Sequence, residues 1–354
     1  PALRLYVQDG APPDPCAPHR PGRWVAGALA PVTRTLALSA GGVLGGAGGA
    51  LSVRVATPQD HGLMAGEYFP MGLDGEMPGD QRADDALAVC FDAAAEGAAA
   101  DLIGRADLRL RVTCDRPRAV LVARLCDVGP DGASTLIAHG MLNLCHRAGM
   151  AAPAPVPVGP PFDVTIPLDA MAHRIAAGHR LRLALATTYW PFLWPSPEAA
   201  VVTVLGGTLE MPVVTDAPEG WQPPEAEGAA PWPHRRLTPE RAVHRIERDL
   251  IGGTVSLVVE DDTGDREDSA HGLVTGSGLV ERWTIRPDDP LSAAVEIVWE
   301  QRLSRGGWAV RTRAETRMEG TADTLTIRSR LMAWEGGAQV FDRTDEERVP
   351  RTFV

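Results

Sequence analysis

Hydrolytic chemistry asks for a serine or cysteine beside a histidine, or for two carboxylates facing each other across a cleft. All of these residue types occur in the 354-residue chain, so their spacing decides what they can do. A serine hydrolase carries its nucleophile in a Gly-x-Ser-x-Gly elbow between a strand and a helix. The nearest approach is Ser277 in TGSGL, where Thr275 stands in place of the first glycine. No other serine has a context that marks it as activated. His139 and Cys145 fall on one face of an expected strand over 134–144 and its extension, and His146 falls on the other, so HGMLNLCH is no metal cluster. His173 and His179 flank an expected helical turn and read as polar residues at a strand entrance. The acid pairs Asp84 and Asp85, Asp261 and Asp262, and Asp288 and Asp289 read as turn and loop residues, because sequence neighbours on a strand point to opposite faces. The chain has no lysine, which excludes a Walker A phosphate loop, a pyridoxal Schiff base and a Ser-Lys dyad. No residue is assigned a catalytic, cofactor-binding or metal-ligating role, and no cofactor is expected.

Two other groups of residues stand out. In DQRADD, Asp80 and Arg82 can form a bidentate ion pair that pins a loop, a structural role rather than a catalytic one. In TTYWPFLWPSPE, Tyr189, Trp190, Phe192 and Trp194 crowd around Pro191, Pro195 and Pro197. Proline donates no ladder hydrogen bond, so a strand ends there. Two uses remain open for these rings: Trp190 and Trp194 as a stacking platform for a sugar in a binding module, or all four as a dry contact in an accessory domain. Phe192 and Leu193 beside the rings favour the dry contact.

Composition narrows the partners. A net charge of −12 disfavours nucleic acid, which needs a basic stripe, and the arginines here alternate along strands. No apolar run reaches the ~20 residues of a membrane helix, and the N-terminus shows no export signal. Cys16, Cys90, Cys114, Cys126 and Cys145 are odd in number and widely spaced, which suits a reducing compartment, so the chain is expected to be soluble and cytoplasmic.

The elements that position these residues are strands. Leu181, Leu183 and Leu185 alternate with Arg180, Arg182 and Ala184; Leu108, Leu110 and Val112 alternate with Asp107, Arg109 and Arg111; Phe162, Val164, Ile166 and Leu168 alternate again. The stretch 119–128 is apolar on both faces, and GPDG at 129–132 is a turn. At most a short helix or turn is expected in DAAAEGAAADL, 92–102, where alanine favours helix and Gly97 weakens it. Residues 214–240 are rich in proline and acids and read as a linker. Beyond it, Trp308, Val310, Thr312, Ala314, Thr316 and Met318 face one way and Arg311, Arg313, Glu315 and Arg317 the other, as in an antiparallel meander with a solvated arginine face. The pattern is all-β, a sandwich or barrel followed by a second β domain.

In order and spacing, GDQRADDALAVCFD (79–92), GRADLRLRVTCDRPRAVLVARLCDVGPDGAS (104–134) and AAGHRLRLALATTYWPFLWPSPE (176–198) resemble the C-terminal region of the cocaine esterase and X-Pro dipeptidyl-peptidase (CocE/NonD) group of serine hydrolases. The resemblance covers residues 1 to about 213. It implies a jelly-roll (galactose-binding-like) β-sandwich over 31–213, preceded by a lead-in over 1–30 from an absent α/β-hydrolase domain that would carry the Ser, Asp and His triad. The linker 214–240 and a smaller antiparallel β domain over 241–354 follow. It implies a hydrolase domain, normally upstream in the same chain, as the partner, with Tyr189, Trp190, Phe192 and Trp194 at the contact or covering nearby core. The chain alone is then inert, the full enzyme cleaves esters or X-Pro peptides, and an exposed interface allows a homo-oligomer.

Overall fold

The computed structural model describes residues 3–215, 217 and 220–354. Pro1 and Ala2, at the head of the expected lead-in, and Asp216, Pro218 and Glu219, in the expected linker, lie outside the described residues. The chain divides into two units. One holds residues 3–72 and 76–225 with the last two residues, and the other holds 73–75 and 226–352. Strand dominates both, and the α-helix among the described residues is the single turn Arg82–Asp85. No helix among the described residues is long and apolar enough to cross a membrane.

In the first unit Ala100–Cys114 lies antiparallel between Phe162–Ile175 and Val202–Val214. Val120–Val128 lies in the same way between Ser134–Asn143 and Arg180–Ala186. The alternation read in the sequence sends Leu108, Leu110, Val164 and Ile166 from the first set into one core with Leu121, Leu125, Leu181 and Leu183 from the second. Two layers therefore close on a shared apolar interior, the arrangement that lets each sheet bury its apolar face. Val32–Ser39 links them, pairing along its length with Val202–Val214 and at its end with Val43–Leu44. The GPDG turn closes the hairpin after Val128, with the Gly129 N–H donating to the Ala133 carbonyl at 2.9 Å and Gly132 at φ +85°, where a Cβ would be strained.

The alanine-rich 92–102 holds no helix: Val89–Asp92 is a strand, and Ala100, Asp101 and Leu102 already pair with Ile175, Arg174 and His173. Ladder bonds and burial of Leu102 outweigh the few tenths of a kcal/mol per residue that separate helix propensities. Arg4–Asp9, within the expected lead-in, pairs with Gly22–Ala26 and with Phe162–Ile175 in the first unit's sheet. Within the stretch expected as a linker, 214–240, His234–Arg236 pairs with Arg266–Asp268.

The second unit is a nine-stranded antiparallel sheet whose long strands include Val274–Arg286, Asp289–Arg305, Trp308–Gly320, Thr324–Glu335 and Ala338–Pro350. Its register sorts side chains by face. Arg282, Glu296, Arg317, Arg328 and Glu346 are consecutive partners across five strands, and so, on the other face, are Trp283, Val295, Met318, Ile327 and Glu347. The charged face is a ladder of ion pairs, including Arg282 with Glu247 at 2.7 Å, Arg328 with Glu346 at 2.7 Å, and Arg317 with Glu296.

Candidate functional site

Val120–Val128 is buried at all nine positions although one sheet face suffices for the core. Leu121, Ala123 and Leu125 enter that core. On the opposite face Val122 joins Ala65, Ala186 and Tyr189 in a second apolar cluster, with Phe192 and Leu193 packed on it. Arg124 lies on this face with none of its side chain exposed. A buried guanidinium is tolerated only when partners replace its water. Its Nη1 donates to Gln81 Oε1 at 2.8 Å, and its Nη2 lies 3.0 Å from Asp85 Oδ1 and 3.4 Å from His61 Nε2.

Those partners come from loops that the Arg82–Asp85 turn and its flanks hold against the sheet. Gln81 Nε2 donates to the carbonyls of Met64 and Gly79 at 2.6 and 2.9 Å, while its own N–H donates to the Ser134 carbonyl. Asp85 Oδ2 accepts from Ser134 Oγ at 2.8 Å and from Arg182 Nη1 at 3.1 Å. Arg182 also holds Asp92 through Nε and Nη2 at 2.7 and 2.8 Å. Asp84 accepts the N–H groups of Gly62 and Met64. His61 Nδ1 is 2.8 Å from the Thr188 carbonyl, and its own carbonyl accepts the Trp190 N–H at 2.7 Å. One buried network thus ties residues 61–64, 79–85, 134 and 188–190 to the sheet.

Burial sets the protonation states. It pushes His61 down from 6.5 to about 3, helped by the charge of Arg124, so the imidazole is neutral at pH 7. It pushes Asp84 up, against Arg124 and the two N–H bonds. Burial likewise raises Cys90 to about 11 and Cys126 to about 12, so neither thiol is a thiolate at neutral pH. Ser134 is fully buried and its hydroxyl is spent on Asp85. This set of groups has charge and order but no activated nucleophile, and its chemistry is that of a clasp.

The residues singled out in the sequence surround this clasp. Arg82 reaches Asp80 Oδ2 through both Nη2 at 2.6 Å and Nε at 2.9 Å, so the guanidinium forks onto one oxygen instead of pairing with two. Asp80 Oδ1 accepts the backbone N–H groups of Arg82 and Ser134. Desolvation opposes ionisation of Asp80, but these hydrogen bonds outweigh it and lower its pKa. The pair is exposed on the arginine side, whereas Gln81 between its members is fully buried. Tyr189 and Trp190 are each 1% exposed, and Phe192 and Trp194 are half-buried. The rings stack edge to face, Tyr189 with Phe192 at 5.4 Å and Trp190 with Trp194 at 5.6 Å. In this arrangement Trp190 presents almost no ring surface to solvent, while Trp194 keeps part of its own.

Asp84 and Asp85, read from the sequence as turn or loop residues, are instead buried in a helical turn, because Gly62, Met64, Ser134, Arg124 and Arg182 supply donors that water would otherwise give. His173 lies inside the strand Phe162–Ile175 and bonds Asp127 Oδ2 at 2.9 Å, while His179 Nδ1 is 2.8 Å from Asp127 Oδ1. Among the described residues no three His, Cys, Asp or Glu side chains are placed to hold a metal ion. Arg124 was missed because an arginine in an apolar run reads as an outward-facing strand residue. The one signal was that the run is apolar on both faces, so an outward residue there must be covered.

Residues 1–242 match the profile of a family described as the X-Pro dipeptidyl-peptidase C-terminal non-catalytic domain. Among solved structures the chain is similar to an alpha-amino acid ester hydrolase, with 17% identity and a TM-score of 0.45 over 51% of this chain and 36% of that one. It is similar to an aminopeptidase from a marine sediment archaeon, Thaumarchaeota archaeon, with 16% identity and a TM-score of 0.46 over 52% of this chain and 37% of that one. A CocE/NonD family hydrolase from Staphylococcus aureus gives 14% identity and a TM-score of 0.44 over 60% of this chain and 42% of that one. The chain therefore spans less than half the length of each of these structures. No curated protein matches it.

Proposed function

The chain belongs, over residues 1–242, to the X-Pro dipeptidyl-peptidase C-terminal non-catalytic domain family, and on that premise we propose that it is the accessory part of a serine hydrolase. Its work is to pack on an α/β-hydrolase domain and stabilise it through a jelly-roll sandwich, while that domain cleaves esters or X-Pro peptides by an acyl-enzyme route. The family match carries the reading. The clasp around Arg124 supports it, since it fastens loops to a sheet and leaves serine and thiols unactivated. The five free cysteines are compatible with a cytoplasmic setting.

The test is intact mass after exposure to a fluorophosphonate, together with the melting temperature of the hydrolase domain with and without this chain. The expected outcome is no adduct on this chain and a higher melting temperature for the mixture. A stoichiometric adduct on the chain, or an unchanged midpoint at saturating chain, would refute the reading.

A further inference from the structure

The first unit carries one concentrated apolar surface. Tyr68, Phe69 and Met71 are 76, 77 and 75% exposed within four residues of one loop. The loop is nonetheless built. Glu76 Oε2 accepts the N–H groups of Met71 and Gly72, each at 2.7 Å, and the Glu76 carbonyl accepts the Glu67 N–H at 2.7 Å. Tyr68 stands edge-on to Phe192 at 5.8 Å, and Phe192 stands edge-on to Tyr189, so the loop rests on the aromatic cluster over the clasp. A fixed loop that exposes two aromatic rings and a methionine keeps apolar area in water at a free-energy cost, and these residue types are the ones that anchor protein interfaces.

We infer that Tyr68, Phe69 and Met71 are the knob that this chain inserts into the α/β-hydrolase domain, an inference that rests on the accessory-domain reading and names its surface. Two observations select that occupant. The family is a C-terminal, non-catalytic one, so the catalytic domain it accompanies lies on its N-terminal side. The loop is joined to this chain's N-terminal segment, with the Met77 N–H donating to the Pro15 carbonyl at 3.3 Å. A domain tethered through that segment meets the loop at high effective concentration, and the fixed backbone lowers the ordering cost of docking.

The probe is the α/β-hydrolase domain encoded with this chain, produced separately and titrated with residues 1–354. The variants are Phe69→Ser, the triple variant Tyr68→Ser, Phe69→Ser and Met71→Ser, and a control, Met150→Ser, at a residue that is 79% exposed elsewhere. The expected result is binding by the unaltered chain and by Met150→Ser. The triple variant should bind at least tenfold more weakly and Phe69→Ser should fall between, with all melting temperatures equal. Triple-variant binding within twofold of the unaltered chain overturns the knob and leaves the accessory reading standing. No binding by the unaltered chain, or a gene that encodes no such domain, overturns both. A dimer of the unaltered chain that the triple variant converts to monomer, or a lower melting temperature in Phe69→Ser alone, assigns the loop to self-association or to this chain's own core and equally overturns the inference.

Discussion

Arg124 is the residue on which the clasp depends. Its charge is fully desolvated and compensated by Asp85, Gln81 and His61. Removing one member of such a set leaves the others buried and unpaired, at a cost of about 3–5 kcal/mol. Arg124→Met is therefore expected to lower unfolding free energy by that order in chemical denaturation, whereas Arg82→Met, on the exposed pair, should leave the denaturation midpoint unchanged. His61 makes the clasp pH-sensitive. Its folded pKa lies at about 3, below the ordinary 6.5, so between those values the unfolded chain binds the extra proton. Stability is then lost as pH falls from 6.5 toward 3, at up to about 1.4 kcal/mol per unit. Asp84, with its pKa raised by burial, opposes this slope. His61→Asn, which keeps a donor for the Thr188 carbonyl, should flatten the fall in melting temperature between pH 6.5 and 4.

At the scale of elements, loops are held to sheets by close backbone contact as much as by charge. Gly62 sits at φ +113°, and a Cβ there would lie 2.8 Å from the Trp190 carbonyl oxygen and 2.9 Å from its nitrogen. Those backbone atoms have little room to move, because the Trp190 N–H already donates to the His61 carbonyl. Gly62→Ala is expected to destabilise the first unit by about 1–3 kcal/mol, read as a shift in its thermal midpoint, while Gly149→Ala, which has open space but the same kind of backbone strain, should cost less. In the second unit the ladder of arginines and acids lies on exposed strands. Exposed pairs exchange water for little net gain, so Arg330→Ala, which breaks the 2.6 Å contact with Asp342, should leave the thermal midpoint of the chain unchanged.

At the scale of the molecule, what the sequence alone determined is the strand pattern. Apolar side chains at every second position must share a face, so Leu181, Leu183 and Leu185, and likewise Trp308 to Met318, could be assigned to faces before any pairing was known. The GPDG hairpin was legible for the same local reason, as backbone geometry follows from glycine and proline. The exclusion of lysine-dependent chemistry needed only the residue list. Tertiary structure decided the rest. It turned 92–102 away from helix, because Ala100 to Leu102 gain ladder partners more than 70 residues away. It placed Asp84, Asp85 and Arg124, which look like surface charges one at a time, into a single buried network that joins segments as far apart as His61 and Thr188, 127 residues along the chain. It also divided the aromatic loop, burying Tyr189 and Trp190 and leaving Phe192 to support Tyr68. Periodicity is a property of neighbours along the chain and can be read there. Burial of charge depends on which distant segments supply the missing hydrogen bonds, and only the folded chain brings those segments together.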